Sequence, residues 1–492
     1  MKNLTLLSKV LIGVVILAIV GSLLWFSGIL NKERPLRVSV VTWGGYAGGQ
    51  LWNEGFKASE ESRFLKEYGV PVEFVLNDDI ESSLKAWEAG EVDAHWWTAD
   101  VFSTVADELA AYNPKVFMQA DWSRGGDAIV VVRGINSVND LRGRKIAVAF
   151  KTPSHSFLLW ALESAGMTPN DVQIVEVASA IDAAAAFKAG QVDAAVVWAP
   201  DDQGCVDAVP GSTILANTKD AKYIISDVFF AKEEVLVARH DDFVSLAEGW
   251  LKGSALINTD PTAKNRAAEI LSTGLSVSVD YALGAINNVR LTTLGDNINF
   301  FNINGNYQGV KGEDIYTKTG RMYQKYGIIK GSFPDWRSVV DLSIVKEVIE
   351  RGKLTGNMNA AEAATTFERP TEKMASAPAM ATKRVTINFA TNVYALDENA
   401  MRILDLQAAD ALRFMGGVRV RITGNTDNVG DYQMNMNLSQ KRAEAVADYL
   451  ARTYKFDRNR FVIVGKGPDN PVASNETPDG RAKNRRTDIE LF

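Results

Sequence analysis

The chain has 492 residues, 46% of them hydrophobic and 23% charged, and a formal net charge of −7. That length exceeds what one hydrophobic core supports, so about three domains are expected, and the acidic balance argues against nucleic acid, whose phosphates call for a basic face. The single cysteine, Cys205, excludes an intrachain disulfide; His95, His155 and His240 stand too far apart to make a helical ligand pair, so no metal and no cofactor is expected.

Residues 10–30 carry no charge. As a helix that run spans roughly 31 Å, against a hydrocarbon core of about 30 Å. Lys2 and Lys9 precede it, which favours a cytoplasmic amino terminus with the bulk of the chain outside. A cleavable signal peptide has a shorter apolar region of about 7–15 residues, and Ser27-Gly28 is a poor version of its cleavage site. Whether the segment is cleaved stays open. The expectation is a single-pass inner-membrane anchor over 1–31.

An internal repeat follows. The segment 86–94, Ala-Trp-Glu-Ala-Gly-Glu-Val-Asp-Ala, returns at 186–194 as Ala-Phe-Lys-Ala-Gly-Gln-Val-Asp-Ala. Each copy ends an amphipathic helix at a glycine, enters an apolar strand and reaches a carboxylate, Asp100 or Asp201. Asp93 and Asp193 read as turn residues. The runs 36–41 and 144–149 read as the buried strands that open the two copies. Strands alternating with helices imply a parallel sheet in each lobe, with ligands beyond the carboxyl ends of the strands.

With Asn136-Ser137-Val138-Asn139-Asp140-Leu141-Arg142-Gly143-Arg144-Lys145-Ile146-Ala147-Val148, these segments resemble a type II periplasmic solute-binding protein of the nitrate, sulfonate and thiamine-precursor group. The resemblance implies an α/β two-lobed domain over 32–355 that closes on a hinge over a small solute. The strand-end rule then selects Trp43, Gly44, Gly45 and Tyr46 after the first strand, and Trp97, Thr98 and Asp100 after the first repeat strand. Thr152, Ser154 and His155 open a helix whose free N–H groups favour an anion, and Trp198 and Asp201 close the set. The bland alternatives are core tryptophans and a Ser154 helix cap. Aromatic faces with carboxylates suit a cation, the helix start suits an acid, and a zwitterion satisfies both. The solute is unidentified.

Residues 356–382, rich in Ala, Thr, Met and Pro, read as a linker. Beyond it, 385–389 reads as a strand, 397–413 as an amphipathic helix and 418–423 as a half-buried strand. A second long helix is expected from an Asn437 cap completed by Gln440, with further strands at 461–464 and 487–492. Arg442 falls on or beside that helix's apolar stripe, where an unpaired charge is costly. Asp427 lies in the loop before the helix. The two can clasp a group carrying both amine and carboxylate, or pair with each other.

Thr426-Asp427-x-x-Gly430, Asn435, Leu438-Ser439-x-x-Arg442-Ala443 and Asn484-Arg485-Arg486 together resemble the OmpA-like peptidoglycan-binding domain, over 383–492 with an α+β fold. The resemblance implies that Asp427 takes the ammonium and Arg442 the carboxylate of diaminopimelate in the stem peptide, with Thr426, Asn435 and Leu438 lining the same pocket.

The combined expectation is a non-enzymatic, inner-membrane-anchored periplasmic protein that binds a small solute and peptidoglycan, for transport or sensing, with a membrane transporter or channel subunit as a further partner. The alternative is a stator-like or scaffold subunit of an ion-driven envelope complex. Spans of that kind carry an aspartate, and 10–30 has none. No catalytic residue is expected: Gly44-Gly45 and Gly48-Gly49 lack the Lys and Ser/Thr of a phosphate loop, and no nucleophile–base pair stands out.

Overall fold

The computed structural model describes residues 34–385, 387, 389 and 393–492. The apolar run 10–30, and with it the expected anchor, lies outside the described residues. Among those described, no helix is long and apolar enough to cross a membrane.

The first lobe is built from β1 (Leu36–Val40), β2 (Val72–Leu76), β3 (Ala94–Thr98) and β4 (Pro114–Gln119). The chain then crosses through β5 (Asp121–Ser123) into a second lobe of β6 (Asp127–Val131), β7 (Lys145–Ala149), β8 (Gln173–Val177), β9 (Ala194–Trp198) and β10 (Thr213–Asn217). It returns to the first lobe as β11 (Asp227–Lys232). The sheet orders are β2-β1-β3-β11-β4 and β10-β6-β9-β7-β8. Apolar strands such as Ala-Ala-Val-Val at 194–197 are buried because helices cover both faces of each sheet.

The sequence repeat is a structural one. Gly90 and Gly190 sit at φ +76° and +69°, and in both copies the glycine N–H and the next N–H close back on the helix carbonyls. Asp93 accepts the Arg37 N–H at 2.9 Å and donates its own N–H to the Arg37 carbonyl at 2.8 Å. Asp193 repeats both bonds with Lys145, each at 2.9 Å. These aspartates therefore fasten each repeat strand to the strand that opens its lobe.

The His240–Thr259 helix packs on the first lobe and lays Trp250 against Phe229 and Tyr46, with ring centroids 4.8 and 6.3 Å away. Burying each such ring contributes about 1.5–3 kcal/mol. Two crossings, 120–126 and 218–226, join the lobes. Ser123 Oγ donates to Asp127 Oδ2 and meets Thr218 Oγ1, both at 2.8 Å, which ties the crossings together.

The carboxy-terminal domain has β13 (Ala381–Val385), β14 (Val420–Asn425), β15 (Phe461–Gly467) and β16 (Thr487–Leu491) in the order β13-β16-β14-β15. β13 starts four residues before the expected strand, inside the segment read as linker. Its bonds to β16, including Met380 N–H to the Leu491 carbonyl at 2.7 Å, come from the far end of the chain and leave no local signature. The long helix also starts early, at Tyr432–Tyr454, capped by Asp431, whose carboxylate accepts the Met434 N–H at 2.8 Å. Asn437 is an interior residue: the polar first turns face solvent, so the apolar stripe begins later than the helix does. Arg460 is buried and donates to the carbonyls of Val418, Leu412 and Met415, fixing the turn before β14.

This domain rests on the second lobe and on the Gly312–Lys325 helix. Trp160 meets Phe414 with ring centroids 4.3 Å apart, Asn139 Oδ1 accepts the Thr382 N–H at 2.9 Å, and Arg413 pairs with Asp314 at 2.9 Å.

Candidate functional site

A cavity of about 30 Å³ lies between the two lobes, beyond the carboxyl ends of β1, β3 and β9. Strand geometry decides which side chains reach it. Trp43 follows β1, Thr98 ends β3 and Trp198 ends β9, and all three line the cavity. Alternation along β3 puts Trp96, not Trp97, beside Thr98 on the cavity face. Trp97 turns to the opposite face with His95, 6.0 Å between ring centroids, which corrects the expectation for that residue.

Several expected residues stand one layer back. Tyr46 is buried and donates its hydroxyl to Asp227 Oδ2 at 2.5 Å, so it orients a cavity carboxylate. Gly45 lets its backbone approach Asp121: a Cβ there would lie 1.4 Å from Asp121 Oδ2. Asp121 accepts the Trp43 indole N–H at 2.6 Å. Asp100 is buried and accepts from the Ser156 hydroxyl.

The helix start meets the cavity at a single residue. Pro153 is its cavity residue and has no N–H. Thr152 spends its hydroxyl on the Ala149 carbonyl at 2.8 Å, and Ser154 is buried without lining the cavity. His155 stacks on Phe150 at 4.3 Å and accepts the Lys151 N–H at 3.3 Å. Burial pushes its imidazole down to about 4, so it is neutral at pH 7 and is no cationic partner. Asp201 lies outside the cavity lining, 39% exposed and paired with Lys188 at 3.1 Å. Its strand ends as expected, but the following turn carries the carboxylate to the surface.

The crossings and the strands they lead into supply what sequence reasoning missed: in the cavity wall, Asp127 at the start of β6, Ile225 just before β11 and Asp227 at its start, and behind Trp43, Asp121. Burial raises all of these carboxyls. Asp127 is pushed up to about 7, with the charges of Asp100 and Asp121 adding to the desolvation, and Asp100 reaches about 7 by burial. Asp227 stands well above the usual range through burial and the neighbouring Asp121. The Trp198 indole N–H lies beside Asp127 and favours its charged form without closing a hydrogen bond to it, and both Trp198 Nε1 and Asp127 Oδ1 are left without a partner among the described residues. The legible signal was an acid at the edge of an apolar run, in Gly-Asp-Ala-Ile-Val-Val and Ser-Asp-Val-Phe-Phe.

The second site lies in the carboxy-terminal domain, where β14 ends and the long helix begins. Asp427 accepts from Arg485 at 2.7 Å and from the Val429 N–H at 3.1 Å. Arg442 is buried, donates Nε–H to the Val393 carbonyl at 3.2 Å, and holds its guanidinium 4.7 Å over Phe389. Burial, with Arg485 nearby, pushes it down to about 10, while Asp427 acts the other way. Thr426 donates to the Asp427 carbonyl at 2.8 Å, Asn435 donates to the Val429 carbonyl at 3.0 Å, and Leu438 is half-buried. The ion pair made by Asp427 is thus with Arg485, a residue legible in the carboxy-terminal motif but not assigned a role from it.

Residues 54–264 match the family model described as NMT1/THI5 like, and residues 388–485 match the OmpA family model. The chain is 50% identical over 84 residues to the peptidoglycan-binding protein ArfA of Mycobacterium tuberculosis, covering 17% of this chain and 25% of that protein. It is 32% identical over 143 residues to the taurine-binding periplasmic protein of Escherichia coli, covering 29% of this chain and 44% of that one. It thus spans less than half the length of either relative. The crystal structure of the periplasmic aliphatic sulphonate binding protein SsuA from Escherichia coli superimposes with a TM-score of 0.50 at 18% identity, over 63% of this chain and 97% of that one. That likeness shows the two-lobed fold.

Proposed function

We propose that this fusion of an NMT1/THI5-like solute-binding domain with an OmpA domain works in the cell envelope, holding peptidoglycan at one end and a small solute at the other. The observation that carries the reading is the charge arrangement at the end of β14. Asp427 and Arg442, one acid and one buried base, stand at the mouth of a single loop with Arg485 beside them. A diaminopimelate side chain offers an ammonium to Asp427 and a carboxylate to Arg442. Each charge-assisted bond contributes roughly 1.5–3 kcal/mol, enough for two to select a zwitterion over a plain amine. The peptidoglycan binding for which ArfA is named and the motif at 426–442 support this assignment.

The solute site is the interlobe cavity, with Trp43, Thr98 and Trp198 in its wall and Tyr46, Gly45 and Asp100 supporting it from behind. At about 30 Å³ the cavity is far smaller than an ordinary ligand pocket, which supports a reading in which the lobes part about the two crossings to take solute. The inner-membrane anchor over 10–30 and delivery to a membrane transporter belong to the same proposal, on sequence grounds. Cosedimentation of the purified full chain with isolated sacculi tests the peptidoglycan arm; the full chain remaining in the supernatant overturns it.

A further inference from the structure

The wall of the interlobe cavity is aromatic and acidic. Three indoles, Trp43, Trp96 and Trp198, share it with Asp127 and Asp227, and no Lys, Arg or His is among its lining residues. Asp127 is 2% exposed, and its Oδ1 has no hydrogen-bond partner among the described residues, although its Oδ2 is held by Ser123 at 2.8 Å. A buried, unanswered carboxylate oxygen at a cavity wall is an acceptor without its donor.

Arg124, whose charge acts on Asp121, does not answer it. Arg124 pairs with Glu362 at 2.7 Å, donates to the Lys222 carbonyl and lies 5.0 Å over the Tyr223 ring, outside the cavity lining. The helix start that would receive an anion shows the cavity only Pro153. A sulfonate entering here would face two carboxylates with no cation to offset them.

We propose that the cavity takes the ammonium head of a small organic cation, caged by Trp43, Trp96 and Trp198 and countered by Asp127 and Asp227. This rests on the solute-receptor reading and departs from the aliphatic sulphonates of one similar protein, which carry no ammonium, while taurine, named for another, carries one beside its sulfonate. Indole faces attract cations, an ammonium N–H supplies Asp127 Oδ1 with its donor, and a positive charge offsets the burial, and the lesser repulsion between neighbouring carboxylates, that hold these carboxyls above their ordinary range. The volume sets the size. At roughly 10–15 Å³ for each water-sized group, the cavity holds about two heavy atoms, the size of a methylammonium head.

The test titrates the full chain with methylammonium, n-butylammonium and methanesulfonate, reading tryptophan emission and heat. Saturable emission change and heat with either ammonium, but not with methanesulfonate, are expected. Asp127→Asn should weaken ammonium binding at least tenfold while the chain still unfolds in a single cooperative transition. Trp198→Leu should do the same and carries the test if Asp127→Asn does not fold. Binding of methanesulfonate alone overturns the cation assignment and leaves the receptor reading standing. No binding of any probe overturns both, and wild-type ammonium affinity in both variants overturns the assignment of these residues.

Discussion

Removing the Asp427 carboxylate separates a binding role from a structural one. In the fold its main partner is Arg485, 2.7 Å away, whose side chain is 38% exposed. Solvent screening limits such a pair to about 1 kcal/mol at most. Losing the bond from the Val429 N–H costs about 1 kcal/mol more. Asp427→Ala should therefore lower stability by about 1–2 kcal/mol, small beside the roughly 5–15 kcal/mol of a typical domain. Its loss at the sacculus should be larger: one charge-assisted bond of roughly 1.5–3 kcal/mol is about a 10- to 150-fold drop in affinity. Quantitative cosedimentation with sacculi measures the second quantity, and urea unfolding followed by far-UV circular dichroism measures the first. Arg442→Lys, which keeps the charge and loses the planar fork, should bind less tightly than wild type and better than Arg442→Ala. Sacculus affinity equal to wild type in both Asp427→Ala and Arg442→Ala refutes the reasoning.

Gly45→Ala forces a Cβ to within 1.4 Å of Asp121 Oδ2 and 2.6 Å of Trp43 Nε1. It should destabilise the lobes by about 1–3 kcal/mol. Tryptophan emission is the fitting probe, because all 11 tryptophans precede residue 340. Arg460→Met leaves three buried carbonyls without their donor and should cost at least about 3 kcal/mol in the carboxy-terminal domain; a change under about 1 kcal/mol in urea unfolding would contradict that role. Stability against pH has two opposed contributions. Asp100 and Asp127, raised from 3.8 to about 7, stabilise the fold fully below about pH 4 and lose that contribution as pH rises through 7. His95 and His155, lowered from 6.5 to about 4, stabilise it above 6.5 and lose that contribution as pH falls through 4. Asp227 adds to the acid side, so the emission-detected melting temperature should fall between pH 5 and 8, and fall less in Asp100→Asn/Asp127→Asn.

Sequence alone settled whatever local chemistry and spacing control. The two copies of Gly-x-Val-Asp-Ala placed both repeat strands, both helix stops and the paired aspartates, because a left-handed helix end and a strand that follows it are fixed within a few residues. The strand-end rule placed Trp43, Thr98 and Trp198 at the interlobe cavity for the same reason. The motif from Thr426 to Arg442 placed an acid and a base near one loop.

Tertiary structure decided the rest. Which face of β3 meets the cavity turns on a register of two, so Trp96 entered the wall and Trp97 left it. Asp127 and Asp227 stand 100 residues apart and meet only because two crossings return the chain between lobes. Arg485 reaches Asp427, and β13 is assigned by β16, through sheet pairing across the whole carboxy-terminal domain. Local pattern determines an element and its ends; long-range pairing determines which charges face each other, and that depends on contacts no short window of sequence contains.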